Sequence, residues 1–171
     1  EIFSTHKNLI ATLRYGENDK VKEFEKVETA ISSGAAFLDI DMMEEEEIIH
    51  KSISLCKSNN CKIILSYHNH TKTPSLEELK SKVELGFKLK ADIVKIVCTA
   101  NSYTELARIL KLYEDDRPII AFSMGEKGQF SRLLSIPLGS PFTYAHPEDH
   151  LPTATFQMSY SKTLEGIKLL S

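Results

Sequence analysis

Lys95 is the residue in this 171-residue chain whose surroundings point most directly to chemistry. It lies in the centre of Asp92-Ile93-Val94-Lys95-Ile96-Val97, an apolar run of strand length. A lysine in a buried strand loses the hydration of its ammonium, which is costly unless the group is paired or neutral. A neutral amine is a nucleophile towards ketones and aldehydes. The alternative is an edge strand with Lys95 in water, and the segment alone does not choose between them.

His68 is the second candidate, because it follows the apolar run Ile63-Ile64-Leu65 and is placed just past the end of a predicted strand. Histidine is the usual proton-transfer group near neutral pH. The commoner role of a single histidine at a strand end is structural hydrogen bonding, and this alternative stays open. His70 could join it in a metal site, but two histidines without a third ligand are a weak signal, so no metal is predicted.

The third candidate is Arg132, at the end of the segment Ser123–Arg132. Gly125 and Gly128 let the backbone turn and approach a ligand, and the arginine could bind a carboxylate or phosphate with two hydrogen bonds. The glycine spacing matches neither dinucleotide-binding nor Walker loops. The alternative is a surface turn with a solvated arginine. Arg14, after the first predicted strand, is a second candidate for binding an anion.

Strand-length apolar runs alternate with segments of helical period, and two of the helices begin at the capping patterns Ser75–Glu78 and Ser102–Glu105. Each run is apolar on both faces, which is typical of parallel strands covered on both sides. The six predicted strands are Ile10-Ala11-Thr12-Leu13, Phe37-Leu38-Asp39-Ile40, Lys62-Ile63-Ile64-Leu65-Ser66, Ile93-Val94-Lys95-Ile96-Val97, Ile119-Ile120-Ala121-Phe122 and Phe142-Thr143-Tyr144.

Repeated strand–helix units predict an α/β fold with a parallel sheet and a ligand site at the carboxyl ends of the strands. Six strands are two short of a closed eight-stranded barrel, so the count fits either an incomplete barrel or an open doubly wound sheet. No linker or composition break divides the chain, and residues 1–171 are expected to form a single domain. Open sheet edges would favour a homodimer or other self-association.

Composition excludes several classes of function. Hydrophobic residues make up 42% of the chain and charged residues 26%, the balance of an ordinary globular protein. A net charge of −3 with scattered basic residues argues against nucleic acid as a partner, and no apolar run is long enough to cross a membrane. No signal peptide is visible. The three cysteines (Cys56, Cys61 and Cys98) show no zinc or redox spacing, which favours reduced thiols in a cytoplasmic protein.

Together these segments resemble type I 3-dehydroquinate dehydratase, the Schiff-base enzyme of the shikimate pathway of aromatic amino acid biosynthesis. The order and spacing of the matching stretches fit the family over nearly the whole chain. These stretches are Ala11-Thr12-Leu13-Arg14, Phe37-Leu38-Asp39-Ile40-Asp41, Ser66-Tyr67-His68 with Thr73-Pro74, Ala91-Asp92-Ile93-Val94-Lys95-Ile96, Ser123-Met124-Gly125 through Gly128 to Ser131-Arg132, and Gly139-Ser140 with Thr143-Tyr144.

The resemblance implies a (β/α)8 TIM-barrel type of fold, incomplete here, with about six of eight βα units and without the family's Glu-x-Arg segment. It implies that Lys95 forms the Schiff base and that His68 is the general acid and base. The implied substrate-binding residues are Arg14, Arg132, Gln157, Thr153, Met124 and Tyr144, and Glu17 is a candidate for orienting the histidine. The chain departs from the family at Gly16-Glu17-Asn18, Asn69-His70 and Ala154-Thr155-Phe156-Gln157.

The implied reaction is dehydration of the small molecule 3-dehydroquinate to 3-dehydroshikimate, without a metal or organic cofactor. The electron sink is the iminium on the lysine. Two alternatives stay open: another Schiff-base aldolase or lyase acting on a keto acid, and a non-catalytic truncated barrel that binds a ligand or partner.

Overall fold

The structure is a computed structural model and describes residues 8–13 and 20–170. Two predicted site residues, Arg14 and Glu17, therefore lie outside the described residues. The strands are β1 (Ile10–Leu13), β2 (Phe37–Asp41), β3 (Lys62–Asn69), β4 (Ile93–Thr99) and β5 (Ile119–Met124). The α-helices are α1 (Lys20–Ser32), α2 (Glu46–Ser58), α3 (Leu76–Lys88), α4 (Tyr103–Leu110), α5 (Ser131–Ser135) and α6 (Tyr160–Lys168), and short 3-10 helices span Lys111–Glu114 and Glu126–Gly128.

The sheet follows the order of the chain, β1-β2-β3-β4-β5. In the parallel ladders, Ile10 pairs with Phe37 and Leu38 pairs with Ile63. A doubly wound sheet reverses its strand order at a switch point, whereas a barrel adds each strand beside the preceding one. The observed order therefore favours the barrel type of winding over the open doubly wound sheet.

One predicted strand is wrong. Phe142-Thr143-Tyr144 has no strand conformation, and the nearest ladder contact is an isolated parallel bridge between His146 and Ser159. Pro141 has no N–H to donate to a ladder, and Ser140 Oγ donates to the Phe142 carbonyl oxygen at 2.8 Å. The aromatic side chains that suggested a strand instead pack against other rings. The described sheet therefore has five strands where six were predicted.

The chain divides into two units, and the boundary passes through β3, α3 and β4. The first unit takes in the described residues up to Tyr67 together with Leu85–Val94. Its core contains apolar residues of α1 and α2 together with inner strand residues. The buried side chains include Val27, Ile31, Leu38, Ile40, Ile49, Ile53, Cys56, Ile63, Ile64 and Leu65.

The second unit is His68–Glu84 with Lys95–Ser171, and it contains every described site candidate. The predicted capping box at the start of α3 is present, since Glu78 N donates to Ser75 Oγ and Ser75 N donates to Glu78 Oε2. At α4 only half of the box forms: Ser102 Oγ accepts from Glu105 N, but the Glu105 carboxylate accepts from Asn101 N.

Across the described ranges, each helix is too short or too polar to cross a membrane.

Candidate active site

Lys95 is buried in β4, with 6% of its surface exposed. Every residue of β4 except Thr99 is buried, so the prediction of a strand covered on both faces is confirmed and the edge-strand alternative is wrong. The Lys95 ammonium lies over the ring of Tyr144, with Nζ at 4.6 Å from the ring centroid. A cation over an aromatic face is stabilised by the ring quadrupole, which offsets part of the lost hydration.

Tyr144 belongs to an aromatic cluster with Phe122 of β5 and Phe142. The Tyr144 ring centroid is 5.7 Å from that of Phe122 and 5.7 Å from that of Phe142, and both ring pairs are tilted. The guanidinium carbon of Arg132 lies 4.5 Å from the Phe122 centroid. The aromatic cluster thus carries two cations, Lys95 on Tyr144 and Arg132 on Phe122.

Arg132 is 5% exposed, so the alternative of a solvated surface arginine is wrong. Among the described residues its Nε and Nη1 are buried without a hydrogen-bond partner. Burial lowers the pKa of the guanidinium to about 10. Burying a charge without a counterion is strongly unfavourable, and a carboxylate that accepted two N–H bonds would remove that penalty. The geometry therefore fits a site for a carboxylate or another anion.

The glycine-containing turn before α5 positions Arg132. Gly125 has φ +83°, a left-handed conformation that glycine adopts without strain. Gly128 packs directly on Ser123, because a Cβ added there would lie 2.8 Å from the Ser123 carbonyl carbon. Ser131 Oγ accepts from Ser123 N at 2.7 Å and donates to the Gly128 oxygen at 2.5 Å. These contacts tie the start of α5 to the end of β5.

His68 is the penultimate residue of β3, one position inside the strand end rather than past it. Its Nδ1 is buried, and its ring stacks on that of His70 with centroids 6.2 Å apart and an interplanar angle of 12°. The described residues contain no group of three or more His, Cys, Asp or Glu side chains that could hold a metal ion. In this arrangement His70 is a ring neighbour of His68.

Side-chain hydrogen bonds fix the backbone that follows His68. Thr99 Oγ1 donates to the His70 oxygen at 2.9 Å, and Thr73 Oγ1 donates to the Thr99 oxygen at 2.9 Å. Arg108 Nη1 donates to the carbonyl oxygens of Thr73 and Pro74 at 2.8 and 2.9 Å. Because Thr99 ends β4, the strand of Lys95, these bonds join the loop after His68 to that strand.

The remaining candidates lie at the end of β5 and in the segment before α6. Met124 is half-buried and closes β5, where its carbonyl oxygen accepts from Ala100 N at 3.1 Å. Thr153 and Gln157 bond to each other, since Gln157 Oε1 accepts from Thr153 N at 3.1 Å and from Thr153 Oγ1 at 2.8 Å. Phe156 between them has φ 61°, a left-handed conformation that is uncommon for a residue other than glycine.

Sequence reasoning missed the aromatic partners, Phe122 and Phe142. The sequence places Phe122 and Phe142 only in predicted strands, and it names Tyr144 as a substrate-binding residue without these two partners. It also missed two buried hydroxyls, Ser123 Oγ and Thr143 Oγ1, which have no hydrogen-bond partner within the described part of the chain. The only available signal was the clustering of aromatic and hydroxyl residues beside the Ser123–Arg132 segment.

Comparison with known proteins matches the chain to one family. The family model for type I 3-dehydroquinase matches residues 4–170. A 3-dehydroquinate dehydratase of Dehalococcoides mccartyi is 35% identical over 153 residues, covering 87% of this chain and 67% of the relative. A 3-dehydroquinate dehydratase of Methanococcus maripaludis is 35% identical over 159 residues, covering 91% of this chain and 72% of the relative.

Solved structures match in the same way. The 3-dehydroquinate dehydratase of Aquifex aeolicus superposes with a TM-score of 0.79 at 28% identity, covering 96% of this chain and 74% of that one. The type I 3-dehydroquinate dehydratase of Clostridium difficile has a TM-score of 0.86 at 24% identity, covering 95% and 68%, and shows the fold. The chain spans about two thirds to three quarters of the length of these relatives.

Proposed function

The chain belongs to the type I 3-dehydroquinase family, and on that premise we propose that it dehydrates 3-dehydroquinate to 3-dehydroshikimate through an imine on Lys95. The observation that carries the proposal is the pair of buried cations on one aromatic cluster. Lys95 lies on Tyr144, and Arg132 lies on Phe122 with two nitrogens lacking acceptors in the described structure.

The substrate has two groups that suit these cations. Its carboxylate can accept two hydrogen bonds from Nε and Nη1 of Arg132, a charge-assisted geometry that also fixes orientation. Its ketone is the electrophile for the Lys95 amine. The aromatic cluster keeps water away from Arg132 and Lys95, which strengthens the electrostatic interactions in the site. Arg132 therefore binds and orients, and Lys95 reacts.

The proposed reaction begins when Lys95 Nζ attacks the ketone carbon and a water leaves, giving an iminium. The iminium withdraws electrons and acidifies the adjacent C–H bond, and His68 removes that proton. The electron pair then expels the β-hydroxyl, which leaves as water after taking a proton from His68. Hydrolysis of the imine consumes one water, releases 3-dehydroshikimate and restores the amine. The net change is the loss of one water.

The other candidates have supporting roles in this proposal. Gln157 Oε1 is occupied by Thr153, which leaves the amide N–H₂ group of Gln157 to donate to the substrate. Met124 and Tyr144 form the apolar wall beside the ring of the substrate. Arg14 and Glu17 lie outside the described residues, and their assigned contacts stay predictions.

The test is a steady-state assay of the chain with 3-dehydroquinate, following the absorbance of the conjugated product. We expect turnover by the unaltered chain and none by the folded Lys95→Ala variant. Lys80→Ala is the control, because Lys80 is exposed and forms a surface ion pair with Glu114, so its removal leaves turnover unchanged. Undiminished turnover by Lys95→Ala, or no turnover by the folded parent chain, contradicts the proposal.

A further inference from the structure

Cys56 and Cys61 come together at the junction between α2 and β3. Helix α2 ends at Ser58, and Asn60 takes the left-handed conformation with φ 53°. Cys61 N donates to the Cys56 carbonyl oxygen at 3.0 Å. This six-to-one bond across a left-handed residue is the Schellman arrangement, in which the side chains of the two bonded residues commonly touch.

The arrangement brings the two cysteines within the reach of a disulfide. Given standard backbone bond lengths, a 3.0 Å bond between Cys61 N and Cys56 O limits the two Cα atoms to at most about 7 Å apart. Disulfides join Cα atoms about 4.4–6.8 Å apart. The two thiols are close enough for each to shift the pKa of the other. Both cysteines are free, so the pair is a dithiol.

The two thiols differ in their chemistry. Interaction with the Cys56 thiol lowers the pKa of Cys61, whereas interaction with the Cys61 thiol and burial raise the pKa of Cys56. The charged groups around the pair are Lys57, Lys62 and Asp92, whose carboxylate accepts from Ile63 N at 2.8 Å. The Cys61 sulfur also lies 3.7 Å from the Lys62 oxygen. Cys61 is therefore the better nucleophile of the two.

A cavity of about 430 Å³ gives access to the pair. Both cysteines line it, together with Lys57, Asn60, Lys62 and Asp92. Cys61 is 6% exposed and Cys56 1%. The third cysteine, Cys98, lies in β4 with no exposed surface, and burial raises its pKa to about 12. The chain thus contains an internal control for thiol reactivity.

We propose that Cys56 and Cys61 are a reversible redox-modification site that a small disulfide such as oxidised glutathione converts to an intramolecular disulfide. The Cys61 thiolate attacks one sulfur of the small disulfide, forming a mixed disulfide and releasing one thiol. The Cys56 thiol then loses its proton and attacks the Cys61 sulfur, which releases the second thiol. The protein dithiol loses two electrons and two protons, and the small disulfide gains them.

The experiment incubates the full chain in mixtures of reduced and oxidised glutathione, then blocks free thiols and digests with trypsin. Trypsin cleaves after Lys57, between the two cysteines, so the disulfide is seen by mass spectrometry as two joined peptides. We expect joined peptides that separate on reduction, while Cys98 is recovered in the reduced form. Reduced thiols at every ratio, a lasting glutathione adduct on Cys61, or oxidation of Cys98 before the pair overturns the proposal.

Single substitutions separate the roles of the two thiols. Cys56→Ser removes the thiol that closes the disulfide, so a stable glutathione adduct should remain on Cys61. Cys61→Ser removes the attacking thiol, so Cys56 should stay unmodified. Circular dichroism checks that each variant folds, and alanine replaces serine if one does not. An adduct on Cys56 in the Cys61→Ser variant contradicts the assignment of Cys61 as the nucleophile.

Discussion

Arg132 is buried, and among the described residues its Nε and Nη1 have no hydrogen-bond acceptor. Burial lowers its pKa to about 10, so the folded state disfavours the charged form. At neutral pH the guanidinium is charged in both folded and unfolded states, and the whole penalty is present. It would be relieved only as the pH rises above about 10. A buried charge that destabilises the folded protein until an anion binds is typical of a binding site rather than of a structural core.

Arg132→Met should therefore stabilise the protein while weakening its proposed binding of substrate. Replacing a buried charge by an apolar side chain of similar size stabilises by on the order of 1–3 kcal/mol, and loss of the carboxylate contact raises KM. Urea unfolding at pH 7 and steady-state kinetics measure the two effects. Arg108→Met is the matched control, because Arg108 bonds to two carbonyl oxygens and its loss should destabilise. A less stable Arg132→Met variant would refute this account of the arginine.

His68→Ala should separate imine formation from elimination. If His68 carries the proton and Lys95 is the nucleophile, the variant still forms the imine but loses water slowly. General acid and base catalysis typically contributes about 10²–10⁴-fold, so kcat should fall by at least about 10²-fold. Single-turnover kinetics with borohydride trapping follows both steps. His70→Ala, which removes the stacked neighbour, is the control and should have the smaller effect. A fall below about tenfold for His68→Ala would indicate a structural histidine.

The sequence was enough to select Lys95 and Arg132 as candidates for the site, but it did not show that their side chains are buried. Lys95 and Arg132 were each predicted with a solvated alternative, because a strand or turn does not reveal what covers it. The rings that cover them, Tyr144 and Phe122, come from separate parts of the chain. Side-chain contacts of this kind depend on tertiary packing, which no local pattern specifies.

Among the structural elements, the turn from β5 to α5 has no room for a side chain at Gly128. Gly128→Ala would place a Cβ 2.5 Å from Ser123 Cβ and under 3 Å from its backbone, so the turn must move. We expect a loss of about 1–3 kcal/mol in the free energy of unfolding, as for other overpacked sites. Ser131 Oγ donates to the Gly128 oxygen, and Arg132 is the next residue after Ser131. A displaced turn should therefore also move Arg132 and raise KM.

Gly139→Ala is the control for backbone strain without steric conflict. Gly139 has φ +107°, but nothing lies within 4 Å of an added Cβ. This variant should lose stability and keep its KM, and both quantities come from the same unfolding and kinetic measurements. An unchanged KM in Gly128→Ala would mean that the turn does not position Arg132.

Elements with strong local signals were predicted well. The capping box at Ser75 begins α3 as expected, and Gly34 ends α1 with φ 100°. The predicted strand at Phe142–Tyr144 failed because its aromatic pattern reflects ring packing rather than ladder pairing. Only one of the two hydrogen bonds of the second capping box is present, because the Glu105 carboxylate accepts from Asn101 N instead of Ser102 N. Local sequence patterns thus predict where helices begin and end better than they predict which residues a segment contacts in the folded protein.

At the scale of the whole molecule, the exposed apolar surface around α6 favours self-association. An apolar cavity of about 490 Å³ is lined by Phe130, Leu169 and Leu170 among others. These side chains are 55%, 83% and 44% exposed. Contiguous apolar surface of this kind commonly marks an interaction site. Leu164 in α6 and Leu170 just after it are 40% and 44% exposed.

We therefore expect the chain to form dimers or larger assemblies in a concentration-dependent way, as measured by size-exclusion chromatography with light scattering. Leu169→Lys should shift the distribution towards the monomer, because it places a charge in the apolar surface. Leu151→Lys is the control, since Leu151 is 90% exposed but does not line this cavity. A monomer at every concentration, or equal effects of the two substitutions, would rule out this surface as the contact.

Whether the strands form a barrel or an open doubly wound sheet could be predicted only from the resemblance to a family. Strand count alone left a barrel and a doubly wound sheet equally open. The consecutive strand order and the structural match to Aquifex aeolicus 3-dehydroquinate dehydratase favour the barrel type. Strand order depends on which strands pair, and the apolar runs of a parallel sheet look alike in either arrangement.

The central claim is that Lys95 forms a covalent imine with the ketone of the substrate. The most direct measurement incubates the chain with 3-dehydroquinate and sodium borohydride, then locates the reduced adduct by peptide mass spectrometry. We expect one ligand per chain, attached to the peptide that contains Lys95, and no adduct in the Lys95→Ala variant. An adduct on a different lysine, or turnover of substrate with no trapped adduct, would contradict it.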